Sequence, residues 1–277
     1  MSQEKQNPQP IAPRSSHRIG QIVPSSNTTM ETEVPAILRS HERLTGNAFS
    51  FHSSRMRMKR VTKEELAAMD GDSDRCAIEL SDARMDVMGY ACLVAIMSMG
   101  NGYHRVSERR LHQRTIDNGG PAPVVTSAGA LIDGLSAIGA RKVAVITPYM
   151  KPLTQLVVDY IEAEGFEVQD RVALEIEDNL AVGRRDPMLL VDIASKVSLA
   201  NVDALVVSAC VQMPSLAAIP QVEARAGVPV VSAAVCTAFR MLEQLGLPTV
   251  AEGAGALLTG RYASLAAASR TAQSEVA

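Results

Sequence analysis

A chain of 277 residues with 47% hydrophobic and 21% charged residues has apolar mass for two lobes or one large α/β domain. Its net charge of −3, without a long run of either sign, argues against a nucleic-acid or membrane-surface partner. Apolar runs such as Tyr90 to Met97 are too short to span a bilayer.

Met1 to Ser16 is polar, holds no apolar leader and is expected to be a disordered tail. A cytoplasmic location with reduced thiols follows as the expectation. Arg18 to Pro24 reads as a first strand, Ser25 to Thr29 as a polar turn and Met30 to Arg39 as a helix. Ala48 to Arg60 reads as a second strand. Thr62 and Glu65 form a capping box for a helix to about Met69. Met85 to Ala91 is a strand, and Cys92 starts a helix. Asn101 to Asn118 reads as a polar segment, a candidate lid, with solvated His104 and His112. A short strand, Pro123 to Ser127, enters a helix from Ala128 to Ile138 that Gly139 ends.

Arg141 to Pro148 starts the plan again. A turn at Tyr149 to Lys151, a helix from Pro152 to Glu164 and a strand from Phe166 to Ala173 follow. Ile176 to Asn179 is a loop and a second lid candidate, and a helix lies near Pro187 to Ser198. Asp203 opens a buried strand that closes on Ala209, and Cys210 is expected to start a helix, as Asp86 opens the strand that closes before the Cys92 helix. Val228 to Ser232 is a strand and Ala233 to Leu245 a helix expected to cross back onto the first half.

Alternation of this kind means an α/β fold with mostly parallel sheets. The repetition predicts two pseudo-equivalent lobes flanked by helices, with the active site in the cleft between their carboxyl edges. The expected division is a tail over 1–16, a lobe carrying Cys92 over 17–124 plus 234–277, and a lobe carrying Cys210 over 125–233.

The four cysteines, Cys76, Cys92, Cys210 and Cys236, lack CxxC or CxxH spacing, so no metal or disulfide framework is expected. A cysteine after a buried strand is ordinarily a small core hydrophobe, and that reading is kept for Cys76 and Cys236. Two thiols at matched places in a repeat favour chemistry instead. A free thiol, with a pKa of ~8.5, is mostly protonated at neutral pH, and a helix N-terminus stabilises its thiolate. One thiolate beside one thiol makes a nucleophile–acid pair.

The motifs around Cys92 and Cys210, with Pro24-Ser25-Ser26-Asn27-Thr28-Thr29 and Ile146-Thr147-Pro148-Tyr149, resemble the aspartate/glutamate racemase superfamily. Within it, Tyr90 to Ser98 and Val23 to Glu33 resemble the maleate cis–trans isomerases. The resemblance spans about Arg18 to Arg261. It implies a cofactor-free isomerase of a small dicarboxylate, maleate, built as a homodimer or higher homo-oligomer. It also implies Cys92 as nucleophile and Cys210 as general acid/base, with substrate contacts at Asn27, Tyr149 and Asn179. A reversible covalent adduct is the simplest cofactor-free way to free an alkene for rotation. Backbone N–H groups after each cysteine, at Leu93, Val94, Val211 and Gln212, are placed to meet developing charge. Simpler roles compete: Asn27 as a helix cap, Tyr149 as turn packing.

Rivals are a two-cysteine amino-acid racemase, a related decarboxylase and a dicarboxylate-binding protein without catalysis. Acidic amino-acid racemases typically follow their cysteines with Asn-Thr or Thr. Here Leu93-Val94 and Val211-Gln212 stand there, which counts against an amino-acid substrate. The decarboxylases usually keep only the second cysteine.

Overall fold

The computed structural model describes residues 16–262. The expected tail lies outside them, apart from Ser16, which opens the first strand. In chain order, β1 (Ser16–Pro24), α1 (Met30–Thr45), β2 (Ala48–Met56), α2 (Lys63–Asp82), β3 (Val87–Tyr90), α3 (Leu93–Ser98), α4 (Tyr103–Asp117) and β4 (Val124–Thr126) build the first half. After α5 (Ser127–Ile138) come β5 (Lys142–Thr147), α6 (Lys151–Ala163), β6 (Glu167–Ala173), α7 (Asn179–Gly183), α8 (Leu189–Ala194), β7 (Ala204–Ser208), α9 (Ile219–Ala226), β8 (Val230–Ser232) and α10 (Ala233–Gln244).

Two four-stranded sheets result, in the orders β2-β1-β3-β4 and β6-β5-β7-β8. Every named strand pair is parallel. The second order is the first repeated, so the expected α/β fold of two pseudo-equivalent lobes is what forms. The inner strands β3 and β7 are buried throughout, as continuous apolar runs between helical layers should be.

The aspartates that open the cysteine strands do matched work. Asp86 accepts the Arg18 N–H at 2.6 Å, and Asp203 accepts the N–H groups of Arg141 and Lys142 at 2.9 and 2.8 Å. Each carboxylate ties the start of a cysteine strand to the start of its neighbour, which fixes register where the ladder begins.

After β8, α10 packs on α1, α5 and β3, so the expected crossing to the first sheet occurs. Gly89 in β3 makes room for it: a Cβ there would lie 2.1 Å from the Met241 side-chain methyl of α10.

Four expectations need correction. α2 continues to Asp82 rather than stopping near Met69. Leu66, Met69, Ser73, Cys76, Ala77 and Leu80 bury one continuous helical face, which outweighs the roughly 1 kcal/mol that Gly71 costs inside a helix. The strand read to Arg60 ends at Met56. The polar segment 101–118 is the packed helix α4, whose inner face buries His104, Ser107, Leu111 and Thr115. His104 is therefore not solvated, and α4 is not a free lid. Finally, no helix starts at Cys210. Pro214 lacks the N–H that a helix beginning at Val211 would need to close on the Cys210 carbonyl. The chain makes a turn, with Met213 N–H on that carbonyl at 3.1 Å, and becomes α-helical only at Ile219.

Candidate active site

Both thiols open onto one small, tight cavity at the carboxyl ends of the two sheets. Asn27, Cys92, Leu93, Val94, Tyr149, Asn179, Cys210, Val211 and Gln212, every site residue expected from sequence, line it. Pro24, Met58 and Val61 complete the wall. A wider outer cleft shares Val61, Tyr149 and Asn179 and carries Lys59 and Arg60 on its rim.

Cys92 sits at the joint of β3 and α3 with φ 99° and ψ 75°, a left-handed backbone that a residue with a Cβ adopts at a cost. Burial pushes its thiol up to about 12; a hydrogen bond from the Ala95 N–H opposes this, while Cys210 and Asp70 add to it by charge. Burial outweighs the helix N-terminus here and favours the protonated form of Cys92. Asp70 is held behind it by the Tyr90 hydroxyl at 3.2 Å, the Tyr103 hydroxyl at 2.6 Å and Arg110 at 3.1 Å.

Cys210 is also pushed up by burial, but the Tyr149 hydroxyl and the N–H groups of Gln212 and Met213 all donate to its sulfur and pull the other way. The Ser208 hydroxyl fixes the turn by donating to the carbonyls of Cys210 at 2.9 Å and Met213 at 3.2 Å. Buried Glu33, from α1, accepts the N–H groups of Ser215 and Leu216, both at 2.6 Å, and anchors the far end of the turn. Burial also lifts the Tyr149 phenol well above its usual range, with Cys210 and Cys92 adding by charge, so it stays a hydrogen-bond donor.

Asn27 caps α1 and also faces the cavity. Its Oδ1 accepts the N–H groups of Thr29 at 2.9 Å and Met30 at 3.0 Å. Those two donors fix the amide orientation, which leaves Nδ2 as the group to offer a ligand. Asn179 begins α7, and its Nδ2 donates one hydrogen bond to Ser26 Oγ at 2.8 Å. Among the described residues, no carbonyl accepts the N–H of Leu93, Val94 or Val211. The Gln212 N–H, expected to face a ligand, goes to the Cys210 sulfur.

Sequence reasoning missed the Ala95 and Met213 donors, because a sulfur's partners depend on how tightly the chain turns. It also missed Met58 and Val61, although their apolar side chains between strand and capping box were a usable signal.

His112 Nδ1 lies 2.7 Å from the Ala122 carbonyl, and His104 contacts Tyr160; neither lines the cavity. Cys76 and Cys236 are buried away from it, in α2 and α10. No helix among the described residues is long and apolar enough to cross a membrane.

A family model described as arylmalonate decarboxylase matches residues 19–258. The maleate isomerase of Pseudomonas putida KT2440 is 62% identical over 246 residues, covering 89% of this chain and 98% of that protein. A cysteine-to-alanine variant of maleate isomerase from Pseudomonas putida S16, solved with maleate, is 64% identical and superposes with a TM-score of 0.88 over 90% of this chain and 99% of that one. A cysteine-to-serine variant of the Nocardia farcinica maleate cis–trans isomerase, carrying a covalently bound succinylcysteine intermediate, is 47% identical with a TM-score of 0.85, over 88% of this chain and 99% of that one. With near-complete coverage at such identity, and with two thiols facing one cavity, the chain is an isomerase that belongs to the maleate isomerase family.

Proposed function

We propose that this cavity converts maleate to fumarate without a cofactor. What carries the reading is that both thiols and three neutral donor side chains converge on one small cavity. The two sulfurs titrate as a pair, because a first thiolate opposes a second. Cys210, with three donors on its sulfur, ionises first by releasing its proton to solvent, and its thiolate then takes the Cys92 proton. The Cys92 thiolate then adds to one alkene carbon, and the π electrons move onto the carboxylate conjugated to the other. The Cys210 thiol protonates that second carbon. The central bond is now single and rotates. The Cys210 thiolate removes a proton from the same carbon, the double bond re-forms, and the Cys92 thiolate leaves.

Asn27 Nδ2 and Asn179 orient the carboxylates as neutral donors, joined by the Tyr149 hydroxyl when Cys210 carries its proton, and hold them without the fixed fork of an arginine. The N–H groups of Leu93, Val94 and Val211 meet the developing negative charge. In the same proposal the lobes divide at 124/125 and 233/234, and the enzyme is a cytoplasmic homo-oligomer.

Proton NMR of maleate incubated with fresh, reduced protein tests the reading. Fumarate should appear as maleate disappears. If none forms, while aspartate, glutamate or an arylmalonate is turned over in a parallel sample, the protein belongs to a neighbouring activity.

A further inference from the structure

Gln212 holds more of the cavity wall in place than any other side chain around it. Its Oε1 accepts the Thr28 N–H at 2.8 Å. Its Nε2 donates to the carbonyls of Ser26 at 3.1 Å and Asn179 at 2.9 Å. Its own carbonyl accepts the Thr29 hydroxyl at 2.8 Å. The side chain is 4% exposed. An amide turned the other way would set its N–H₂ against the Thr28 N–H, so one orientation alone satisfies this network.

The partners are not arbitrary. Ser26 and Thr28 flank Asn27 in the loop after β1, Asn179 starts α7, and the Gln212 N–H meets the Cys210 sulfur. One buried amide therefore references both cavity asparagines to the second thiol. The backbone is shaped to leave room for it. A Cβ at Gly183 would lie 2.5 Å from Gln212 Nε2 and 2.7 Å from Thr28 Oγ1.

We propose that the Gln212 side chain is a positioning residue: a clasp between the two halves that sets the separation of the Asn27 and Asn179 amides and their alignment on Cys210. The proposal rests on the isomerase reading above and explains the glutamine two positions after Cys210. Its side chain is fully occupied by protein partners and is not directed at a ligand.

Gln212→Leu removes the amide at similar volume, and Gln212→Glu sets an oxygen against two carbonyl oxygens. Both are assayed on maleate beside wild type, with hydrogen exchange followed over segments 25–30 and 176–183. The expected result is a fall in kcat/KM on the order of 10²-fold, the scale of an ångström-sized misplacement. KM should rise as kcat falls, and both segments should exchange faster. Ser40→Ala, which breaks the Ser40–Glu252 hydrogen bonds away from the cavity, should lower Tm alone. A folded Gln212→Leu with kcat and KM within about twofold of wild type, or with unchanged exchange, overturns the clasp. Should that variant fail to fold, Gly183→Ala presses on the same amide and must show the same losses, and wild-type kinetics there overturn it equally. A wild type that makes no fumarate defeats the isomerase reading instead, while the exchange measurements still report on the clasp.

Discussion

The two cysteine turns start alike and end differently. Each follows an inner parallel strand opened by an aspartate that caps its neighbour. Cys92 is itself left-handed and opens one short helix, and a single N–H, from Ala95, reaches the sulfur. After Cys210 the chain coils into a turn, and two N–H groups and the Tyr149 hydroxyl reach the sulfur. Equal places in a repeated fold thus give unequal thiols. Burial opposes ionisation at both, and donors relieve it more at Cys210. In the proposed reaction that inequality divides the work, one sulfur attacking carbon and the other carrying the proton.

The widest test of the asymmetry is to remove each thiol in turn. Cys92→Ser should reduce fumarate formation to background and leave no adduct after incubation with maleate. Cys210→Ser should lower turnover by at least the roughly 10²–10⁴-fold typical of a positioned acid/base, yet retain one maleate equivalent covalently on Cys92, read by intact-mass and peptide spectra. Adduct on Cys210 in Cys92→Ser would reverse the assigned roles.

Next in size is Tyr149→Phe. It removes the one side-chain donor to Cys210 and leaves the Ala95 N–H on Cys92 untouched. Loss of such a donor costs on the order of 10²–10³ in kcat. Alkylation rates should show the Cys210 pKa moving up and no rise in that of Cys92. Parallel movement of both would mean that the sulfurs share their donors.

The pH dependence sharpens the same point. Both thiols lie above their ordinary value in the folded chain, Cys92 at about 12 against 9.0. Folding therefore favours their protonated forms. Their contribution to stability is full below about 9.0 and is lost as pH rises towards about 12. The proposed reaction needs one ionised sulfur, that of Cys210 first, so kcat/KM should climb with rising pH above the ordinary thiol value while Tm falls. A plateau in kcat/KM below pH 8 would sink this account.

Much of this was legible in the chain. The Asp-strand-Ala-Cys repeat, with its turns and helices, predicts both lobes and both thiols, and the family resemblance adds Asn27, Tyr149 and Asn179, all of which line the cavity. What escaped depended on tertiary packing. The charged residues of α4 mask a helical face of His104, Ser107, Leu111 and Thr115 that needs neighbouring helices to become visible. Pro214 already forbade a helix at Cys210, but that a turn would supply more donors than a helix is a matter of geometry. The charge state of Cys92 turned on burial against a single N–H, and no sequence pattern weighs those two.

The smallest expected effect lies at the junction behind the site, where His104 of α4 meets Tyr160 of α6. The Tyr160 oxygen accepts the His104 backbone N–H at 3.3 Å and lies 2.6 Å from its Nδ1. Burial, helped by the charge of Arg105 and opposed by Glu164, lowers this histidine to about 4 from 6.5. A depressed value means that folding favours the neutral ring. Its contribution to stability is present above pH 6.5 and is lost as pH falls through about 4. His104→Gln keeps a polar side chain that cannot gain that proton. Its Tm should fall less than that of wild type between those pH values, by a few degrees at about 2–4 °C per kcal/mol, with kcat and KM on maleate unchanged. The junction and the thiol pair would then be separable: acid loosens the contact between the halves without touching the inequality of the two sulfurs. A kinetic change in His104→Gln comparable to that of Tyr149→Phe would instead tie α4 to the chemistry.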